Sequence, residues 1–250
     1  NILDNFIKRL LKNEYEIIPV TSKTYLEVID LLKKIKFKLP FSVENGAAYF
    51  IPVKDTYNYQ YEKILNPFAL KKENIRKILN GNLFKKFLHN IEFIENLPNS
   101  EITKITKLKQ NQLESFNSRE YTIPILWNGD KKLKNEFQKI LFKYNLKITF
   151  GGKLNNISGL HSKVDSMNFF TNQYRLKFRS KKIITTSLGD SQNDIEILNN
   201  TNYSGIIKAN SYNIFNLNKK NNIFRSFTGA PHGWVEVLKK ILIKMEKDYN

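Results

Sequence analysis

The sequence predicts an α/β protein: a core built on a parallel sheet, interrupted by an inserted α+β unit. Three observations predict it. Helix-type and strand-type apolar periodicity alternate at both ends of the chain, as in sheets whose strands are joined by crossover helices. Between residues 55 and 156 that alternation gives way to short helical and strand-like runs in mixed order. Toward the C-terminus an apolar, β-branched run leads directly into an acidic turn, the place where open parallel sheets hold ligands. The core is therefore assigned to residues 1–54 and 157–250, and the insert to 55–156.

The elements follow in order. Ile2, Leu3, Phe6, Ile7, Leu10 and Leu11 recur at helical spacing and predict an opening helix. Residues 16–20, a short apolar run, predict a strand, and Leu26, Ile29, Leu31, Leu32 and Ile35 predict a helix over 25–35. Residues 41–43 and 49–52 predict two strands joined by the turn Glu44-Asn45-Gly46-Ala47-Ala48. In the insert, helices are expected at 74–79, 101–108 and 130–144, and strands at 121–127 and 146–150. Beyond it come a helix over 162–174, a strand over 182–188, a strand over 203–207 and a closing helix over 234–245.

Composition limits the function classes. With 250 residues and 41% hydrophobic content the chain can bury a core, which excludes a disordered tail. The absence of cysteine removes disulfides, thiolate metal sites and a cysteine nucleophile, and fits a cytoplasmic location. No apolar run reaches the length of a membrane span or signal peptide. The net charge of +18 raises nucleic-acid binding as a rival, but only six of the 41 basic residues are Arg, the fork suited to phosphate and guanine. The Lys is spread through a chain rich in Asn and Ile. The expectation is therefore no nucleic-acid or membrane partner, with the charge drawing small anions.

The strongest chemical signal is Gly189-Asp190-Ser191-Gln192-Asn193-Asp194 after the apolar strand. Carboxylate, hydroxyl and amide oxygens gathered at a strand end suit a hard cation such as Mg2+. The same residues also fit a polar turn in which Asp194 caps a helix starting at Ile195. A second signal, Thr21-Ser22-Lys23-Thr24, follows the strand over 16–20. Its hydroxyls, its Lys and the amides of a helix start can hold a phosphoryl group, or Thr21 or Ser22 can simply cap that helix. Lys163, near the start of the helix over 162–174, is the third.

These pieces stand in the order and spacing of the haloacid dehalogenase superfamily phosphatases. The chain more narrowly resembles the mannosyl-3-phosphoglycerate phosphatase family. The likeness rests on Val20-Thr21-Ser22-Lys23-Thr24, on the stretch from Pro40 through Glu44-Asn45-Gly46-Ala47-Ala48, on Arg119-Glu120-Tyr121, on Gly151-Gly152-Lys153, on the acidic turn, and on Gly229-Ala230-Pro231-His232-Gly233-Trp234. The resemblance implies a Rossmann-like core of the haloacid dehalogenase type with a cap inserted in it. It implies that Thr21 binds the transferring phosphoryl group, that Lys163 neutralises its charge, and that Asp190 ligates Mg2+ with Asp194 supporting. Ser22, Lys23, Glu44, Asn45, Gly46 and Asn193 would contribute to substrate binding, and Arg119, Glu120, Gly152 and Lys153 would meet the sugar or glycerate from the cap. The implied activity is Mg2+-dependent hydrolysis of mannosyl- or glucosyl-3-phosphoglycerate through an aspartyl-phosphate, with sucrose phosphate and other hexose phosphates as runners-up.

The chain departs from the family pattern at three points. Around Lys163 it reads Gly159-Leu160-His161-Ser162-Lys163-Val164, without the family's preceding Asp and following Gly and Lys. Lys153 stands where the family often has Arg. No Asp-x-Asp-Gly-Thr segment, the family's nucleophile and acid–base pair, occurs in these residues, so the first core strand is expected to be absent and the 250 residues inactive alone. A non-catalytic phosphosugar-binding relative is the remaining alternative.

Overall fold

The computed structural model describes residues 2–53, 58–151, 154–179, 181–209, 217–218 and 221–249. In chain order its elements are α1 (Ile2–Lys12), α2 (Tyr25–Ile35), β1 (Phe41–Val43), β2 (Ala48–Pro52), β3 (Tyr61–Leu65), α3 (Lys72–Leu79), α4 (Lys85–Leu88), β4 (Ile91–Phe93), α5 (Asn99–Thr106) and α6 (Leu113–Asn117). They continue with β5 (Thr122–Trp127), α7 (Lys131–Lys143), β6 (Leu146–Gly151), β7 (Leu154–Gly159), α8 (Lys163–Lys177), β8 (Thr186–Gly189), α9 (Ile195–Asn200), β9 (Tyr203–Lys208), β10 (Ile223–Gly229) and α10 (His232–Tyr249). The α/β class is as expected. The chain forms two compact units, residues 1–17 with 163–250, and residues 18–162.

The first unit is a parallel sheet of order β8-β9-β10. Alternation along β9 assigns its two faces: Tyr203 and Ile207 pack with Val237 and Ile241 of α10, while Ile206 packs with Leu198 of α9. The Tyr203 hydroxyl, carried into this core, donates to Asp248 at 2.6 Å. The strand expected over 182–188 enters the sheet only from Thr186, because Thr185 is taken up by Asn202, whose Oδ1 accepts both its N–H and its hydroxyl at 2.9 Å.

The second unit holds two sheets. In the smaller, β1-β2-β3 run antiparallel, and Phe41 stacks on Phe50 at 4.9 Å between centroids, with Tyr25 tilted against Phe50 at 4.6 Å and Tyr61 edge-on to Phe41 at 5.0 Å. Helix α2 begins in a capping box, with the Glu27 amide donating to the Thr24 hydroxyl and the Thr24 amide to the Glu27 carboxylate. The strand expected over 16–20 reduces to one parallel bridge, Val20 to Ser42. Pro19 has no amide to offer a ladder, although its carbonyl accepts from Ser42 at 2.8 Å.

The larger sheet has the order β4-β5-β7-β6, antiparallel throughout. Ile123, Ile125, Ile148 and Ile157 pack with Ile75, Leu79, Phe137 and Leu141 of α3 and α7, each such side chain contributing about 1.5–3 kcal/mol on burial. Asp130 caps α7 by accepting from the Leu133 amide at 2.7 Å. Strand β7 was not anticipated; it carries Asn155 and Asn156 where a buried strand usually carries apolar residues. Because it spans Leu154–Gly159, it runs across the boundary drawn from sequence at 156/157, and the compact units divide at 162/163 instead. Residues 18–54 likewise group with the insert rather than with the C-terminal sheet, and the boundary at 54/55 falls outside the described residues.

Candidate functional site

In the first unit the acidic turn sits at the carboxyl end of β8. Gly189 is required there by close approach: a Cβ at that position would lie 2.4 Å from Cβ of Asp194. That contact folds the Asp194 carboxylate back over the turn. Its Oδ2 accepts from the Asp190 amide at 3.1 Å, the Ser191 amide at 3.0 Å and the Ser191 hydroxyl at 2.9 Å. Its Oδ1 is paired with Nζ of Lys163 from the first residue of α8, both side chains being over nine-tenths buried. Asp194 is therefore a strut within the turn rather than the side-chain cap of α9.

Asp190 differs. Its side chain is exposed, and partial desolvation, with the charge of Asp194 next, raises its pKa while Lys163 opposes. Asn193 is half-buried and accepts from the Ser191 hydroxyl. Among the described residues no three His, Cys, Asp or Glu side chains form a metal cluster. Asp190 nevertheless offers an open carboxylate, and Mg2+ is commonly held by one or two carboxylates with water and substrate phosphate completing the shell. The oxygen donors fit that ion.

In the second unit the residues before α2 lie alongside the end of β1, held by backbone bonds: Thr21 N–H to Ser42 O, Asn45 N–H to Thr21 O and Glu44 N–H to Lys23 O, at 2.8–3.2 Å. The Thr21 hydroxyl accepts from the Lys23 amide at 3.2 Å, leaving its own proton for another acceptor. The Lys23 ammonium is exposed and pairs with Glu27. Glu44, Asn45 and Gly46 follow one another at φ of 46°, 61° and 100°, so three successive residues are left-handed. Asn45 is half-buried and Gly46 buried.

Glu44 is 1% exposed, and its carboxylate accepts three hydrogen bonds. It accepts from the Glu120 amide at 2.9 Å, the Tyr121 amide at 3.0 Å and the Thr122 hydroxyl at 2.6 Å, while its own carbonyl accepts from His161 Nε2 at 3.0 Å. Arg119 crosses in the opposite sense. Its Nη1 donates to the Ser22 carbonyl at 2.9 Å and to the Thr122 hydroxyl at 3.2 Å, and its plane lies over Phe116. Burial lowers the Arg119 pKa, opposed by Glu44 and Glu27. Glu120 points outward to Lys63 and the Tyr121 hydroxyl.

Of the residues expected from sequence, the structure thus brings Lys163, Asp190, Asn193 and Asp194 together in one unit. It gathers Thr21, Ser22, Lys23, Glu44, Asn45, Gly46, Arg119 and Glu120 in the other. Gly152 and Lys153 lie outside the described residues. Sequence reasoning missed Glu27, signalled by the capping-box spacing from Thr24, and Thr122, which reads as an ordinary strand residue because its partner Glu44 is 78 positions away.

A family model described as haloacid dehalogenase-like hydrolase matches residues 3–223. The chain is 26% identical over 251 residues to a glucosyl-3-phosphoglycerate/mannosyl-3-phosphoglycerate phosphatase from Persephonella marina, covering 96% of this chain and 90% of that one. It is 26% identical over 208 residues to a mannosyl-3-phosphoglycerate phosphatase from Pyrococcus furiosus, covering 80% and 81%. Among solved structures, a phosphatase of the haloalkanoate enzyme superfamily from Bacteroides thetaiotaomicron superposes with a TM-score of 0.65 at 17% identity, covering 95% of this chain and 86% of its own.

Proposed function

Because the chain belongs to the haloacid dehalogenase-like hydrolases, we propose that it is the greater part of a phosphatase for a phosphorylated sugar-glycerate, mannosyl- or glucosyl-3-phosphoglycerate. The observation that carries this reading is the division of labour in the acidic turn: Asp194 is fixed by Lys163 and three donors, and Asp190 is left open. The names of the two relatives supply the substrate.

In this reading Asp190 holds Mg2+, with Asp194 supporting from behind. The ion, when bound, supplies positive charge for the phosphoryl oxygens. Lys163 orients Asp194 through their ion pair and adds its own positive charge. Thr21 donates its hydroxyl proton to a phosphoryl oxygen, and Lys23 and the amides opening α2 favour anions. Asn45, Gly46, Asn193 and Glu120 supply groups for the sugar-glycerate, as do Gly152 and Lys153. Residues 1–54 and 157–250 remain our proposed core and 55–156 our proposed cap.

No Asp-x-Asp-Gly-Thr sequence occurs in the 250 residues, and none of the proposed site residues takes the part of an aspartate that accepts phosphorus. The 250 residues alone should bind Mg2+ and inorganic phosphate without turnover. Joined to a strand carrying that motif, they should release phosphate from mannosyl-3-phosphoglycerate faster than from sucrose phosphate, by a colorimetric phosphate assay. Preference for sucrose phosphate would transfer the assignment to hexose phosphates. The missing motif also favours a second reading, a phosphosugar-binding relative, which persistent binding without turnover in the joined protein would support.

A further inference from the structure

The ionic web around Glu44 and Arg119 has no role in the reading above. Glu44 is buried and already accepts from two amides and a hydroxyl, so most of its accepting capacity is committed to the chain. Arg119 spends Nη1 on Ser22 and Thr122, and its Nε is buried without a hydrogen-bond partner among the described residues. Each charge reaches backbone of the other segment, and Arg119 also lies 3.9 Å from the Glu27 carboxylate. The carboxylate leaves the 44–46 turn to bind the amides of residues 120 and 121, and the guanidinium leaves residue 119 to bind the carbonyl of Ser22. Thr122 joins them, donating to Glu44 and accepting from Arg119. A third tie runs parallel, from the Thr24 hydroxyl to the Ser115 carbonyl at 2.7 Å.

We infer that Glu44 and Arg119 are positioning residues: a reciprocal brace that sets the Thr21-Ser22-Lys23 loop and the Asn45 turn against the start of β5. The inference rests on the reading of that loop as phosphoryl-binding. The brace fixes Ser22 at its carbonyl and residue 44 at its side chain. The two segments so held are those that bond one another through Asn45 N–H and Thr21 O. Position of the Thr21 hydroxyl is thus set from residues nearly a hundred places downstream. A group acting through another in this way raises phosphate affinity by preorganisation, while touching no phosphate.

The test uses the 250-residue chain, with inorganic phosphate titrated by 31P NMR, Mg2+ by calorimetry, and amide hydrogen exchange at Lys23 and Asn45. Arg119→Met should weaken phosphate about tenfold or more, leave Mg2+ affinity unchanged, and speed exchange at both amides. Arg119→Lys, which keeps the charge with fewer donors, should fall between. Glu44→Gln should follow the same split if Arg119→Met fails to fold. Thr21→Val separates the two levels: if it leaves phosphate affinity intact, the phosphoryl-loop reading fails and the inference with it. If Thr21→Val weakens phosphate and the folded Arg119 and Glu44 variants do not, the brace alone is overturned. Equal losses of phosphate and Mg2+ affinity, in step with melting temperature, would also overturn it by showing a general structural role.

Discussion

The acidic turn and the Glu44–Arg119 web are both buried ionic clusters, yet they are built in opposite ways. The turn is local: Gly189, Asp190, Ser191 and Asp194 lie within six residues, and one ion pair to Lys163 holds the strut while a second carboxylate stays open. The web joins residues 22, 44, 119 and 122 across long sequence separations and closes on itself. An open carboxylate beside a locked one suits a ligand that arrives from solution. A carboxylate with three acceptances from the chain and almost no exposure suits a fixed geometry. Burial and charge alone do not tell the two apart; the count of unspent acceptors does.

The comparison can be broken first at the closed cluster. Glu44→Leu leaves two amides and the Thr122 hydroxyl without their acceptor and removes a negative charge near buried Arg119, and should cost about 3–5 kcal/mol in urea unfolding. A loss near zero would mean that the web is not a stabilising closed network. Lys163→Met comes second, at roughly 2 kcal/mol, because Asp194 keeps its three donors from the turn. Asp190→Asn should change stability by less than about 0.5 kcal/mol, and not downward, since its raised pKa means that its charge is disfavoured in the folded protein. The same substitution should remove calorimetric Mg2+ binding. Stability lost together with metal affinity would show Asp190 to be a strut as well.

A carboxylate outside both clusters gives the smallest effect. Hydrogen bonds from Lys244 first and from the Tyr203 hydroxyl next hold the Asp248 pKa below its usual value. The stability it contributes is present above the unfolded carboxylate value, near 4, and is lost as pH falls through the lower folded value. Asp248→Asn should therefore flatten the acid limb of the stability curve, measured by thermal unfolding at stepped pH.

Legibility followed sequence distance. The bounds of helix α2 were readable to the residue, because its periodicity is local, but its cap was not: the expected Thr21 or Ser22 is replaced by Thr24, which forms the capping box with Glu27. The acidic turn was readable because strand, Gly and Asp are consecutive. Strand β7 was not, since its buried Asn155 is stabilised by the Lys134 ammonium, a partner 21 residues earlier that no pattern within the strand announces. Glu44 and Arg119 were singled out by their motifs, but whether their charges were committed to the chain or left for a ligand depended on Thr122 and Ser22. The run at 16–20 had strand composition, yet Pro19 within it was the local signal that pairing there would be minimal.

The left-handed run at Glu44, Asn45 and Gly46 bears on how sequence variation in this protein should be interpreted. Each position excludes most replacements before any ligand is considered: β-branched side chains are penalised at all three, Asn is among the few residues at ease at the second, and the third tolerates little besides Gly. A randomised library over these codons, selected only for folding, should return a narrow set close to the present triplet. A narrow outcome of that selection would record backbone geometry, and a substrate contact at Asn45 would have to be inferred from something other than intolerance to replacement.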